Sequence, residues 1–248
     1  MQRYSYGFYP QPVLPGFELD SKLKPQLIAS TSNLSYQVSG ATEDPFKLHM
    51  CECCNFTSNW QMPIIEPVID LDILKYEIMG YDRIANPKHL AYGMHFYSAD
   101  HKILPSLRSY LKVYERIKGQ PFIIGPDYSI KMNMPFPKKL SNSFDIKLVT
   151  AWYQFMGSLT IPNIVWADVE HMDAYLEGYP KNSIIAINST GLGWNQRARE
   201  NWISGYRHVV QELNPLAIIR YGAKIKGEIE SISVYKKNDN LKSSKYGW

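Results

Sequence analysis

Hydrophobic positions fall into two regimes that meet near Gln61. Before it, the few apolar runs keep neither a helical nor a strand period, and Pro, Ser, Thr, Asn and Tyr dominate. Residues 1–61 therefore read as an extended arm or a small irregular subdomain. After it, short apolar runs of strand length alternate with amphipathic segments of helix length. "LAYGMHFYS" (90–98) predicts a strand. "ILPSLRSYLKVYERIKG" predicts one helix with Leu104, Leu107, Leu111 and Tyr114 on its buried face and Gly119 as its stop. "PFIIGPDYS" is the next strand, and "MNMPFPKKL" reads as a connection. A helix over 143–157 then turns Leu148, Trp152, Phe155 and Met156 inward. "IPNIVWAD" is a strand, "VEHMDAYLEG" a short helix and "SIIAINST" a strand. "RARENWISGYRHVVQEL" is a helix that buries Ala198, Trp202, Tyr206, Val209 and Leu213 before Asn214 and Pro215 end it. "LAIIRYG" reads as a buried strand and "EIESISVYKK" as an alternating one at an edge.

Strand and helix alternating four times in succession means βαβ units. The expected fold is α/β: a mainly parallel sheet with helices on both faces over 62–235, preceded by the irregular N-terminal arm. A partial barrel fits the same spacing. Residues 236–248 form a basic, polar, flexible tail.

Composition adds limits. A chain of 248 residues, 45% hydrophobic and 20% charged, suits a globular protein with one substantial core. The net charge of +4, from 27 basic and 23 acidic residues, is too small to demand a nucleic-acid partner. No signal-peptide core and no membrane-length apolar run occurs, so the protein is expected in the cytoplasm, with no membrane contact. All three cysteines lie in "HMCECC", which excludes a disulfide-stapled framework. His49, Cys51, Cys53 and Cys54 are four potential metal ligands. Adjacent cysteines diverge rather than converge on one ion, however, so reduced, non-catalytic thiols are the first expectation and a metal or redox site the alternative.

In parallel α/β folds, ligands bind beyond the carboxyl ends of the strands. Those ends carry Asp100 and His101, Asp127, Asp168, then Asn188, Ser189 and Thr190, then Arg220 and Tyr221. Three carboxylates supply hard oxygen ligands for a divalent metal, and a guanidinium clamps a phosphate, so Asp127, Asp168 and Arg220 are the catalytic candidates and the others binding candidates. Each has a structural role beside the chemical one. Asp168 and Asp100 precede helices and can cap them. Asp127 follows Pro126 in a turn. Arg220, inside an apolar run, needs a partner. "STGLGWNQR", at the start of the long helix, resembles an anion-binding loop without the lysine of a phosphate loop.

"GPDYSIKMNMP", "AWYQFMG" running into "IPNIVWAD", "GYPKNSIIAINSTG" and "LNPLAIIRYG" resemble, in this order, the blocks of the family called domain of unknown function forty-four seventeen, over roughly residues 73–235. The resemblance implies a source in bacteriophages or other mobile elements and brings no established activity. The family pattern has an arginine where this chain has Val165 and an aspartate where it has Asn133. It has a histidine and a glycine after the threonine that follows the "IIAI" strand, where this chain reads Thr190 and Gly191 after Ser189. If those positions form a family site, this member has altered it.

The leading expectation is a phage or mobile-element accessory protein that binds a host or phage macromolecule, protein or nucleic acid, in replication, host takeover or anti-defence. Its alternative is a metal-dependent enzyme acting on a nucleotide or nucleic-acid phosphate. A virion component is the third reading.

Overall fold

A computed structural model describes residues 47–83, 91–192 and 195–236. Most of the expected arm, the side chain of Leu107 and the basic tail after Lys236 lie outside the described residues. In chain order the elements are α1 (Leu48–Cys51), β1 (Ile78–Gly80), β2 (Gly93–His95), α2 (Asp100–Arg108), α3 (Tyr110–Ile117), β3 (Ile123–Ile124), α4 (Phe136–Phe155), β4 (Thr160–Ile161), α5 (Met172–Leu176), β5 (Ile184–Asn188), α6 (Gln196–Leu213), β6 (Ala217–Tyr221) and β7 (Ser233–Lys236).

Strands β1 to β4 pair in parallel in chain order, as do β5 to β7. A parallel bridge between Asn163, just past β4, and Ala186 of β5 joins the two sets. A flat sheet of this order would hold β2 and β6 about 19 Å apart, four strand spacings. Instead the His95 ring of β2 and the Tyr221 ring of β6 lie 4.5 Å apart, and Tyr97 stacks on Tyr221 at 4.8 Å. The sheet is therefore curled on itself. Lys236 at the end of β7 donates through Nζ to the carbonyls of Leu74 and Tyr76, both at 2.7 Å, where the chain enters β1. Of the arrangements compatible with the sequence pattern, this is the partial barrel.

Curling gives the strands two apolar faces of different kinds. Ile78, Phe122, Ile124, Ile161, Ile184, Ala186, Ala217, Ile219 and Tyr221 fill the inside. Gly93 is required there, because a Cβ would fall 2.1 Å from the Phe122 ring. Val68 closes the amino end: its carbonyl accepts from Ile184 N at 2.7 Å and its N–H donates to Ser183 Oγ at 2.9 Å. Outside, Met94, Ile123, Ile185, Ile187 and Ile218 lie under Tyr114, Trp152, Tyr153, Tyr206 and Val209 of the helices.

Several elements differ from the expectation. The helix expected after β2 breaks at Ser109, whose φ of −122° leaves the helical region. Ile103, Tyr110, Val113, Tyr114 and Ile117 are buried, while Leu104 is 45% exposed. Helix α4 starts at Phe136 rather than near 143, with proline in its first turn, where a missing N–H costs nothing. Phe155 at its far end is 38% exposed rather than turned inward. Strand β1 has three buried residues in a row and so no alternation to reveal it. Residues 47–61 join the core through Met50 and Cys54, and Lys47 pairs with Asp145 of α4 at 2.8 Å. No described helix is long and apolar enough to cross a membrane.

Candidate functional site

The loops after β3, β4 and β5, with the first turns of α6, enclose a cavity of about 880 Å³. This is the carboxyl end of the curled sheet, where loops can vary without disturbing the strands. The volume suits a small organic ligand. Asp127, Lys131, Met132, Trp166, Asn188 and Arg197 are among its lining side chains.

Asp127 is held from both sides. Its Oδ1 accepts from Asn163 Nδ2 at 3.1 Å and its Oδ2 from Asn188 Nδ2 at 3.0 Å. Neither amide can turn over. Asn163 Oδ1 accepts from the Tyr97 hydroxyl at 3.0 Å, and its Nδ2 also donates to Pro126 O at 2.8 Å. Asn188 Oδ1 accepts from the Thr190 N–H at 2.7 Å and from its hydroxyl at 2.8 Å. Burial raises the Asp127 pKa above the ordinary carboxylate value; the two amide bonds oppose the rise, and the charge of Asp100 adds to it. A carboxylate held in this way on a cavity wall can accept from a ligand or exchange a proton with it.

The same cavity also has aromatic and cationic lining. Trp166 and Trp202 lie with ring centroids 5.6 Å apart. Gly205 lets α6 come close, since a Cβ there would fall 2.1 Å from Trp166 Nε1. Trp202 is fixed by its Nε1 bond to Asn188 O at 3.2 Å. Asn195 caps α6 by accepting from Ala198 N at 3.1 Å. Arg197, in the first turn, has no hydrogen bond or ion pair to any described residue, and it is exposed. Lys131 lies 3.7 Å from Asp100, whose Oδ1 also accepts from Ser129 N at 3.2 Å.

Of the residues singled out in the sequence, Asp127, Asn188 and Thr190 line this cavity, and Asp100 braces its edge through Ser129 and Lys131. Asn133, Val165 and Gly191 line it too. The others do not. His101 is exposed. Ser189 donates to Ala223 O at 2.6 Å and ties the β5 loop to the β6 loop. Tyr221 lies inside the barrel.

Asp168 is enclosed by Lys139 Nζ at 2.7 Å, His171 Nδ1 at 2.6 Å and the Tyr175 hydroxyl at 3.2 Å, and it accepts from His171 N at 3.2 Å, close to the capping role expected of it. Burial pushes its pKa up, but the bonds from Lys139 and His171 outweigh this and hold it below the ordinary value.

Arg220 points to the outer face with no exposed surface. Glu228 meets it twice, Oε2 accepting from Nε at 2.9 Å and Oε1 from Nη2 at 2.8 Å, while Nη1 donates to Ile187 O at 2.6 Å. Its partner is thus a carboxylate in the loop after β6. Asn163, Trp166, Lys131 and Arg197 were not singled out, although "PNIVW" and "STGLGWNQR" contain three of them.

Among the described residues no three His, Cys, Asp or Glu side chains gather as a metal site requires. Asp100, Asp127 and Asp168 thus do not form one cluster. In the cysteine segment, Cys53 Sγ donates to His49 O and Cys54 Sγ to Met50 O, both at 3.3 Å. Burial pushes the Cys53 thiol up to about 12 and the Cys54 thiol higher still, which favours the protonated form of both.

Comparison with known proteins agrees with the sequence blocks. The Gene 1 protein of Mycobacterium phage L5 is 27% identical over 142 residues, 55% of this chain and 62% of that protein. The Gene 1 protein of Mycobacterium phage D29 is 22% identical over 142 residues, 55% of this chain and 53% of its own length. The chain thus spans less than two thirds of these curated relatives. No solved structure matches. The profile of the family described as Domain of unknown function (DUF4417) matches residues 54–236, most of the chain and all of the curled sheet, and the chain belongs to that family.

Proposed function

We propose that the protein is a phage-encoded accessory factor that acts by binding. The cavity at the carboxyl ends of β3, β4 and β5 takes a phosphate-bearing ligand with a flat ring: a nucleotide, free or within a host or phage nucleic-acid strand. One observation carries this reading: Arg197, a cation without a partner among the described residues, lines the same cavity as Trp166 and Asp127. An exposed arginine on a helix is ordinary in itself. Here it stands beside Asp127, the single carboxylate among the described lining, while Lys131 is matched by Asp100 at 3.7 Å, so Arg197 is the cation left to meet an anion. The first turn of α6 adds backbone N–H groups and the positive end of its dipole, and indole faces are the usual stacking surface for bases.

Titration of the 248-residue chain with a 5′-phosphorylated single-stranded oligonucleotide, followed by calorimetry at two salt concentrations, tests this. Binding that weakens with salt and is lost in Arg197→Glu is expected. No binding at millimolar ligand, or equal binding by the variant, overturns the reading.

A second reading has one observation in its favour: Asp127, anchored by Asn163 and Asn188 on the cavity wall, has its pKa raised by burial, as suits a group that exchanges a proton with a ligand. Product formation from a bound nucleotide, lost in Asp127→Asn, would identify an enzyme. The metal-dependent alternative draws no support from the geometry, because its three aspartates stand apart.

A further inference from the structure

We infer that the cavity selects guanine, with Asp127 accepting from the N1–H and the N2 amino group of the base. This rests on the nucleotide-binding reading above and adds to it the identity of the base. Each carboxylate oxygen has two acceptor positions. At Asp127 the protein fills one on each oxygen, through Asn163 Nδ2 at 3.1 Å and Asn188 Nδ2 at 3.0 Å. One acceptor position per oxygen remains on a carboxylate that lines the cavity, so a ligand there can meet two acceptors side by side. Tyr97 and Thr190 fix the two amides so that both present Nδ2 to Asp127 as donors.

A parallel pair of acceptors calls for a parallel pair of donors. Guanidinium and amidine groups supply one, and among the nucleobases the guanine N1–H and N2 amino edge does. Adenine and cytosine place a donor beside an acceptor, and uracil and thymine place a single N–H between two carbonyls. The rest of the cavity decides between a cationic ligand and a base. Arg197, with Lys131 already facing Asp100 at 3.7 Å, repels a guanidinium ligand and attracts a phosphate, while Trp166, Met132, Ile164 and Leu192 offer apolar surface to a planar ring. A guanine nucleotide presents the donor pair, the plane and the anion in one molecule. A free nucleotide and a guanine within a single strand share this chemistry.

The experiment measures affinities of the 248-residue chain for GMP, IMP, AMP, CMP and UMP, and for 5′-phosphorylated oligonucleotides of mixed sequence with and without a guanine. A bidentate base contact gives a preference of roughly 10- to 100-fold for GMP over AMP, CMP and UMP. IMP, which keeps N1–H and lacks the amino group, should fall between. Asp127→Asn should level the series, and IMP reports on the same contact without altering the protein, should that variant fold poorly. Tighter binding of GMP than of the guanine oligonucleotide identifies the free nucleotide as the source; the reverse identifies the strand. Equal affinities for all bases, IMP equal to GMP, or a preference for adenine overturns the inference while nucleotide binding stands. Absence of binding by every nucleotide and oligonucleotide overturns both.

Discussion

Arg220 and Asp127 are both partly or wholly buried charges near the carboxyl ends of strands, and the protein treats them in opposite ways. Around Arg220, Glu228 fills two donors, Ile187 O takes another, and the Trp202 ring covers the guanidinium at 4.7 Å. Glu228 in turn accepts from Ile225 N at 2.8 Å and from the Tyr235 hydroxyl at 2.8 Å. Burial alone would raise the Glu228 pKa, but Arg220 outweighs it and holds the carboxylate ionised. The knot joins β5, β6, β7 and α6. Asp127 has firm anchors but an incomplete set of partners, and it faces a cavity with cations and indoles. A charge whose partners are all internal holds the fold, whereas one anchored but incompletely matched at a cavity wall is placed to meet something from outside.

The largest effect belongs to the closed region. Arg220→Met leaves Glu228 buried and unpaired, and it should lower unfolding free energy by about 3–5 kcal/mol in urea melts. Adding Glu228→Leu should recover much of that loss. A loss under about 1 kcal/mol in the single variant would remove the contrast.

Lys147 sharpens the same side by showing the cost of incomplete matching inside. It is fully buried, donates to Ser143 Oγ at 2.6 Å and lies over the Tyr179 ring at 4.5 Å. Burial lowers its pKa to about 7, against a smaller opposing pull from Glu177. The unfolded lysine titrates near the usual ~10.4. Below pH 7 both states are charged and the folded state bears the whole penalty; between 7 and 10.4 only the unfolded state holds the proton, so stability rises with pH. Lys147→Met should therefore gain about 2 kcal/mol at pH 6, with the gain fading by about pH 10. A gain independent of pH would assign it to packing instead.

Smaller effects belong to the open region. Trp166→Leu should weaken nucleotide binding roughly tenfold through lost stacking. Arg197→Ala should weaken it about fivefold while changing stability by less than about 0.5 kcal/mol. A destabilising Arg197→Ala would move that residue to the structural side.

The sequence foretold the regular parts of the fold and only fragments of this contrast. Strands β5 and β6 and helix α6 were legible because each is long enough to show its period, and Trp202, Tyr206, Val209 and Leu213 are all buried as expected. Strands β3 and β4 pair over only two residues each, within or at the edge of the longer apolar runs "PFIIGPDYS" and "IPNIVWAD" that announced them, and β1 is too short to carry a period. The strand ends pointed to Asp127, Asn188 and Thr190, since position along the strand suffices to place them. Partners were illegible: Arg220 finds Glu228 eight residues later, and Asp168 finds Lys139 twenty-nine residues earlier on another element. Spacing alone cannot tell a carboxylate with such a partner from one without.

Hydrogen–deuterium exchange of the 248-residue chain, with and without saturating 5′-phosphorylated oligonucleotide containing guanine, tests the central claim most directly. Protection is expected over 127–133, 164–167 and 188–192 and in the first turns of α6 around Arg197, with no change over 217–236 around the Arg220 knot. Protection confined to other segments, or none at all, would contradict the assignment of the cavity as the place where this protein meets its ligand.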